Sequence, residues 1–190
     1  FEINPKFEDA MEGTSIARKN NIDAVISIGG GSVIDIAKLI LAFIEPNQNQ
    51  QNIVLGIDKP IDPKIPHISI PTTAGTGSES THFAVVYLNK IKYSVSSNFL
   101  TPKIAILDGE LIKSNSPTQK AYNGLDALAQ AIESHWATGS NEESRSYSRE
   151  AIPILYSKLP RIVDGSADMQ DYQNFIFAAN LAGKAINISK

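Results

Sequence analysis

The chain has 190 residues, of which 42% are hydrophobic and 19% charged, with a formal net charge of −3; this is enough for one full core, and no basic stripe interleaved with aromatics marks a nucleic-acid surface. It contains no cysteine, which excludes disulfides, thiolate metal sites and a thiol nucleophile and agrees with a reducing, cytoplasmic setting. No apolar run reaches the ~20 residues of a membrane span and no secretory signal opens the chain, while Phe1 in place of Met and a helical pattern running almost to Lys190 read as an excerpt of a longer polypeptide.

In chain order, Phe7, Ala10, Met11, Thr14, Ile16 and Ala17 follow a mostly helical period and predict a helix over residues 7–20, feeding a strand from Ile22 to Ile28. The apolar run then breaks on Gly29, Gly30 and Gly31 and resumes at helical spacing from about Ser32 to Ile44, so the stretch reads as strand, tight turn, helix. Glycines here let the backbone lie bare against a ligand. The amides of Gly30, Gly31 and Ser32 would point ahead of the helix, where the dipole adds roughly half a positive charge, a setting that suits a phosphate. An isolated Gly-Gly-Gly-Ser reads equally well as a tight turn, and it does not match the Gly-x-Gly-x-x-Gly fingerprint. Ser32 and Asp35 are spaced as a reciprocal capping pair. Pro46 stops the helix and Asn47 to Asn52 read as a polar loop.

His67 to Ile70 form a short apolar strand ending at Pro71, which opens into Thr72-Thr-Ala-Gly-Thr-Gly-Ser-Glu79. Alone this is a Ser/Thr-rich surface loop; as a second small-residue loop at a strand's carboxyl end it suits a polar ligand, because ligands in parallel sheets bind there. Phe83 to Tyr87 and Lys92 to Val95 read as a hairpin around Asn89-Lys90, and Lys103 to Leu107 as another buried strand ending at Asp108. A helix opens near Asn123 and carries Asp126, Gln130 and Glu133 on one face. Asp126 reads either as a metal ligand or as an acid complementing the helix dipole. His135 lies about 180° round that helix from Asp126 and reads as surface or interface; His67 and His82 read as structural. The remainder is helical, with Pro153, Pro160, a turn at Asp164-Gly165 and a last helix from Tyr172 to Ile186.

Gly29-Gly-Gly-Ser-Val-Ile-Asp-Ile-Ala-Lys38, Pro71-Thr-Thr-Ala-Gly-Thr-Gly-Ser-Glu79, Ile106-Leu-Asp108 and Gly124-Leu-Asp-Ala-Leu-Ala-Gln-Ala-Ile-Glu133, in this order, resemble the iron-containing (group III) alcohol dehydrogenase family. The resemblance covers nearly the whole chain but only the middle of the family's protein. Phe83-Ala-Val-Val-Tyr87, Lys92-Tyr-Ser-Val95 and Glu142-Glu-Ser-Arg145 further resemble its phosphonoacetaldehyde reductase branch. The resemblance implies an α/β fold of dehydroquinate synthase-like architecture: a dinucleotide-binding parallel-sheet domain over residues 1–112, lacking its first βα unit, followed by the start of an all-helical metal and substrate domain over 113–190.

It also implies NAD(H) or NADP(H), with Gly30, Gly31 and Ser32 on the pyrophosphate, Thr72, Thr73 and Thr76 on the adenosine and phosphate side, and Val85, Lys92 and Leu111 lining the rest. Asp126 would be the first ligand of a divalent metal, Fe²⁺ or Zn²⁺. The family's next ligand, a histidine four residues on, is Gln130 here, a harder and weaker donor; two further histidine ligands are expected beyond residue 190. The implied reaction is hydride transfer between nicotinamide and a small alcohol or aldehyde with the metal as Lewis acid, in a full-length homodimer with no nucleic-acid or membrane partner. No side chain is assigned as catalytic. The alternatives are a glycerol dehydrogenase-like or dehydroquinate synthase-like enzyme, or a cofactor-binding module that has lost its metal.

Overall fold

The two periodicities in the sequence separate into two kinds of packing. In the computed structural model, which describes residues 4–189, strands and helices alternate up to about residue 108 and only helices follow. Strands β1 (Val25–Gly29), β2 (His67–Pro71) and β5 (Ile104–Ala105) form a parallel sheet in the order β1-β2-β5. Ile26 pairs with Ile68, and Ile68 with Ile104. The two-residue period therefore lines up Ile26, Ile28, Ile68, Ile70, Ile104 and Ile106 on one face. On the other face Ser27, His67 and Ser69 are buried beneath helix α2 (Gly31–Phe43), where Ser27 Oγ meets His67 Nε2 at 2.8 Å.

α2 is apolar on nearly every side, and such a helix is stable only when surrounded. Ile34, Ile36, Leu39, Leu41 and Phe43 are all buried. Its second neighbour is the hairpin of β3 (Phe83–Leu88) and β4 (Ile91–Ser96), whose Ala84, Val86, Leu88 and Val95 share one core with α2 and with Ala10 of α1 (Phe7–Asn20). The register leaves Asn89 and Lys90 as a two-residue loop, both at positive φ (50° and 67°), the geometry of the turn that matches strand twist. Ahead of α1 the chain lies along β3, with Tyr87 N donating to Pro5 O at 2.8 Å.

Helices α4 (Gly109–Lys113), α5 (Pro117–Trp136), α6 (Glu142–Asp164) and α7 (Met169–Ser189) build a second core from Ala127, Ala131, Leu155, Phe175 and Ala178. α5 starts at Pro117 rather than near Asn123, because Ser116 caps it by accepting from Gln119 N at 3.2 Å and Pro117 has no N–H to lose in the first turn. α6 runs through both Pro153 and Pro160, which lie on its exposed side. α7 begins three residues before Tyr172, at Met169. In the stretch read as polar loop, Asn49 caps a short helix α3 (Gln50–Val54) that buries only Ile53 and Val54, too few apolar residues to show a period. β5 has two paired residues where a five-residue strand was expected.

Candidate active-site cleft

The glycine turn opens α2 as read. Gly30 is its N-cap, in extended conformation and without a side-chain cap; Val33 N donates to Gly30 O, and the amides of Gly31 and Ser32 are left for another partner. The expected Ser32–Asp35 capping pair does not form. The Asp35 carboxylate instead accepts from Ser78 Oγ at 2.5 Å and from Val85 N at 3.0 Å, because α2 is wedged between the hydroxyl loop and β3 and those donors need an acceptor. The loop after β2 folds back onto the turn: Thr72 N donates to Gly29 O at 2.9 Å, and a Cβ on Gly31 would stand 2.6 Å from Thr76 Oγ1. Glycine is thus required at 31 by the close approach of the second loop. A Cβ on Gly75 would in turn be 2.9 Å from Asn123 Cα, so the loop sits directly on α5 one turn before Asp126.

Behind this surface is a charged network. Lys38 is fully buried and donates to Ser78 Oγ (3.1 Å), Thr81 Oγ1 (2.9 Å) and Phe83 O (2.9 Å). Burial pushes its ammonium down to about 8, against the pull of Asp35 and Glu79. Burial likewise raises the Asp35 carboxyl, opposed by Lys38 and by the bonds from Ser78 and Val85. Glu79, buried and bonded by Asn180 Nδ2 at 3.0 Å, is also raised by burial. His67, whose ring is buried in the sheet and next feels the charge of Lys38, is lowered to about 4.

One cleft of about 340 Å³ gathers Gly31, Ser32, Thr76, Val85 and Lys92 from the expected cofactor set together with Asp126 and Gln130 from the expected metal set. Gly30, Thr72 and Thr73 are outside its lining; a Cβ on Gly30 would stand 3.2 Å from Thr73 Cγ2, and the Thr72 carbonyl accepts from Asn115 Nδ2 at 2.9 Å. Leu111, on α4, does not reach the cleft. Sequence reasoning missed Asn4, Pro5, Asp35, Ser78 and Thr81 in the lining. Asp35 carried a signal, since an acid between Ile34 and Ile36 in an apolar helix is costly unless something compensates it. A larger cavity of about 580 Å³, lined by Glu79, Lys103, Tyr147, Phe177, Asn180 and Lys184 among others, holds none of the expected residues.

Among the described residues no group of three or more His, Cys, Asp or Glu could hold a metal ion. Gln130 Nε2 donates to Asp126 Oδ2 at 3.0 Å, and Gln130 Oε1 is buried without a partner. A half-turn of that amide would set an unsatisfied oxygen beside the carboxylate. The pair therefore fits a divalent cation as two oxygen donors and leaves the remaining ligands to be supplied from elsewhere.

Comparison with known proteins follows the same division of the chain. Residues 1–109 match the family described as iron-containing alcohol dehydrogenase, and residues 120–190 match the C-terminal family of Fe-containing alcohol dehydrogenases. The NAD-dependent methanol dehydrogenase of Bacillus methanolicus is 33% identical over 186 residues, covering 97% of this chain and 49% of its own. The NADPH-dependent butanol dehydrogenase of Clostridium saccharobutylicum is 32% identical over 190 residues, covering 98% and 48%. Among solved structures, sulfoacetaldehyde reductase from Bifidobacterium kashiwanohense in complex with NAD⁺ superposes with a TM-score of 0.95 at 30% identity, covering 100% of this chain and 51% of that one. The chain spans about half the length of the curated relatives it matches.

Proposed function

The chain belongs to the iron-containing alcohol dehydrogenase family, and from that premise we propose that the full-length protein is an NAD(P)-linked, divalent-metal-dependent oxidoreductase that interconverts a small alcohol and its aldehyde. The observation that carries this reading is the meeting of the glycine turn, the hydroxyl loop and the Asp126–Gln130 pair in one cleft. Gly31 and Ser32 would hold the cofactor's pyrophosphate on the uncapped first turn of α2. Thr76 and Lys92 would add a hydroxyl and a cation to that anion, with Thr72, Thr73 and Gly30 fixing the turn from behind. Asp126 supplies the charge and Gln130 the amide oxygen for the metal. When bound, the two groups supply hydride transfer and polarisation of the carbonyl oxygen; the chain's own residues position and neutralise.

The same reading proposes a cytoplasmic homodimer and, from the resemblance of the hairpin and of Glu142–Arg145, a phosphonoacetaldehyde-type substrate. Full-length protein assayed with NADH and NADPH against a panel of aldehydes that includes phosphonoacetaldehyde and sulfoacetaldehyde should show cofactor oxidation with at least one. Gly31→Val, whose side chain would enter the space of Thr76, should weaken dinucleotide binding at least tenfold in a folded protein. Unchanged dinucleotide affinity in that variant would refute the phosphate assignment.

A further inference from the structure

The mechanism above uses the metal pair and the phosphate turn but leaves a carboxylate in the cleft wall without a task. Asp35 lines the cleft, and both of its oxygens are occupied by donors from two different elements, Ser78 Oγ at 2.5 Å and Val85 N at 3.0 Å. The direction of the first bond is set from behind. Lys38 Nζ has only hydrogens to give, so the Ser78 oxygen accepts from it at 3.1 Å and turns its own hydrogen toward Asp35. Burial raises this carboxyl, and against it stand two donors on its oxygens and a buried ammonium across a hydroxyl, each of which favours the anion. The same Lys38 is pinned by Thr81 Oγ1 and Phe83 O, so the arrangement is rigid.

A fixed anion in this wall matters because the two forms of a nicotinamide cofactor differ by one charge at the ring. The oxidised ring is a cation, the reduced ring is neutral, and the phosphates and riboses are common to both. We propose that Asp35, oriented by Ser78 and Lys38, makes the cleft discriminate between oxidised and reduced nicotinamide by charge, so that it sets the potential of the bound cofactor. This rests on the reading of the cleft as a dinucleotide site. The other charges at the cleft do not duplicate the effect: Lys92 has the opposite sign, and Asp126 is exposed and bonded to Gln130.

The test uses the full-length protein and three probes: NAD⁺, NADH and ADP-ribose, or their 2′-phosphorylated counterparts if only those bind. Dissociation constants are measured by calorimetry for wild type and Asp35→Asn, with circular dichroism to confirm folding. The expected result is about a tenfold loss of affinity for the oxidised cofactor, with the reduced form and ADP-ribose within twofold of wild type. That ratio corresponds to a rise of about 30 mV in the potential of the bound two-electron couple. Asp35→Ser, smaller and also neutral, gives the same readout if the asparagine variant does not fold. If ADP-ribose binds wild type and both oxidised and reduced forms change equally in the variant, the charge discrimination is overturned while the dinucleotide reading stands. If ADP-ribose and both dinucleotides fail to bind wild type, the reading beneath it falls as well.

Discussion

Gly183 on α7 offers a sharp test of how the cleft is held, because two ordinary effects oppose each other there. Replacing glycine by alanine inside a helix normally stabilises by about 1 kcal/mol. At position 183 the new Cβ would lie 2.7 Å from Gly77 Cα and 2.8 Å from Gly77 O, with Ser80 Oγ closer still. Gly77 sits at φ 62° and cannot yield by rotating a side chain; the loop itself must move. Forcing extra volume into such a contact costs typically ~1–3 kcal/mol, and with backbone on both sides the upper part of that range applies. The expected net is therefore a loss of about 1–2 kcal/mol, read as a lower urea midpoint at unchanged slope. Displacing the loop also draws Ser78 away from Asp35, so dinucleotide affinity should fall severalfold in the folded variant. A Gly183→Ala protein that is as stable as wild type, or more so, would show that helix and loop are not in the contact described.

Three further outcomes follow from the same structure. Gly165 closes α6 at φ 83° with open space around it, so Gly165→Ala should cost about 1 kcal/mol through the backbone alone, measured by the same denaturation, with cofactor affinity untouched. Lys38 sits near 8 when folded and at 10.5 when free, so the unfolded chain holds more protons between those values and stability should rise with pH across that window, by about 3 kcal/mol from this group; Lys38→Met should lack this component, and parallel pH profiles for the two proteins would contradict it. Asp126→Asn removes the one carboxylate of the metal pair, and full-length protein carrying it should be depleted of divalent metal by elemental analysis; full metal content in that variant would return Asp126 to the role of an acid complementing the helix dipole.

What the sequence conveyed well was local. The α1 boundaries, the two loops at strand ends and the Asn89-Lys90 hairpin are each set by residues within a few positions, and all are where the pattern put them. The residues proposed for cofactor and metal are implied by the ordered motifs through the family resemblance. What stayed hidden was long-range partnership. The spacing of Ser32 and Asp35 predicts a cap, yet the donors to Asp35 come from residues 78 and 85, and no local rule outranks a buried carboxylate's need for them. The early start of α5 is written in Ser116-Pro117, ahead of the apolar period that begins later. Leu111, taken from the resemblance alone, is not among the residues lining the cleft, although Asn115, just after α4, donates to the Thr72 carbonyl.

The isoleucine face of the sheet has a practical meaning for anyone handling these 190 residues by themselves. Ile26 and Ile28 are each 61% exposed, Ile104 53% and Ile106 47%, flanking Ile68 and Ile70 of β2, while Ser27, His67 and Ser69 on the opposite face are buried. Parallel sheets are found almost only with both faces clad, and an uninterrupted aliphatic plane of this kind is sticky toward dyes, detergents, chaperones and other copies of itself. Its attraction weakens on cooling. Yield and shelf life of the isolated polypeptide should therefore follow concentration and temperature more closely than the strength of either core, and a cold, dilute preparation will keep what a warm, concentrated one precipitates.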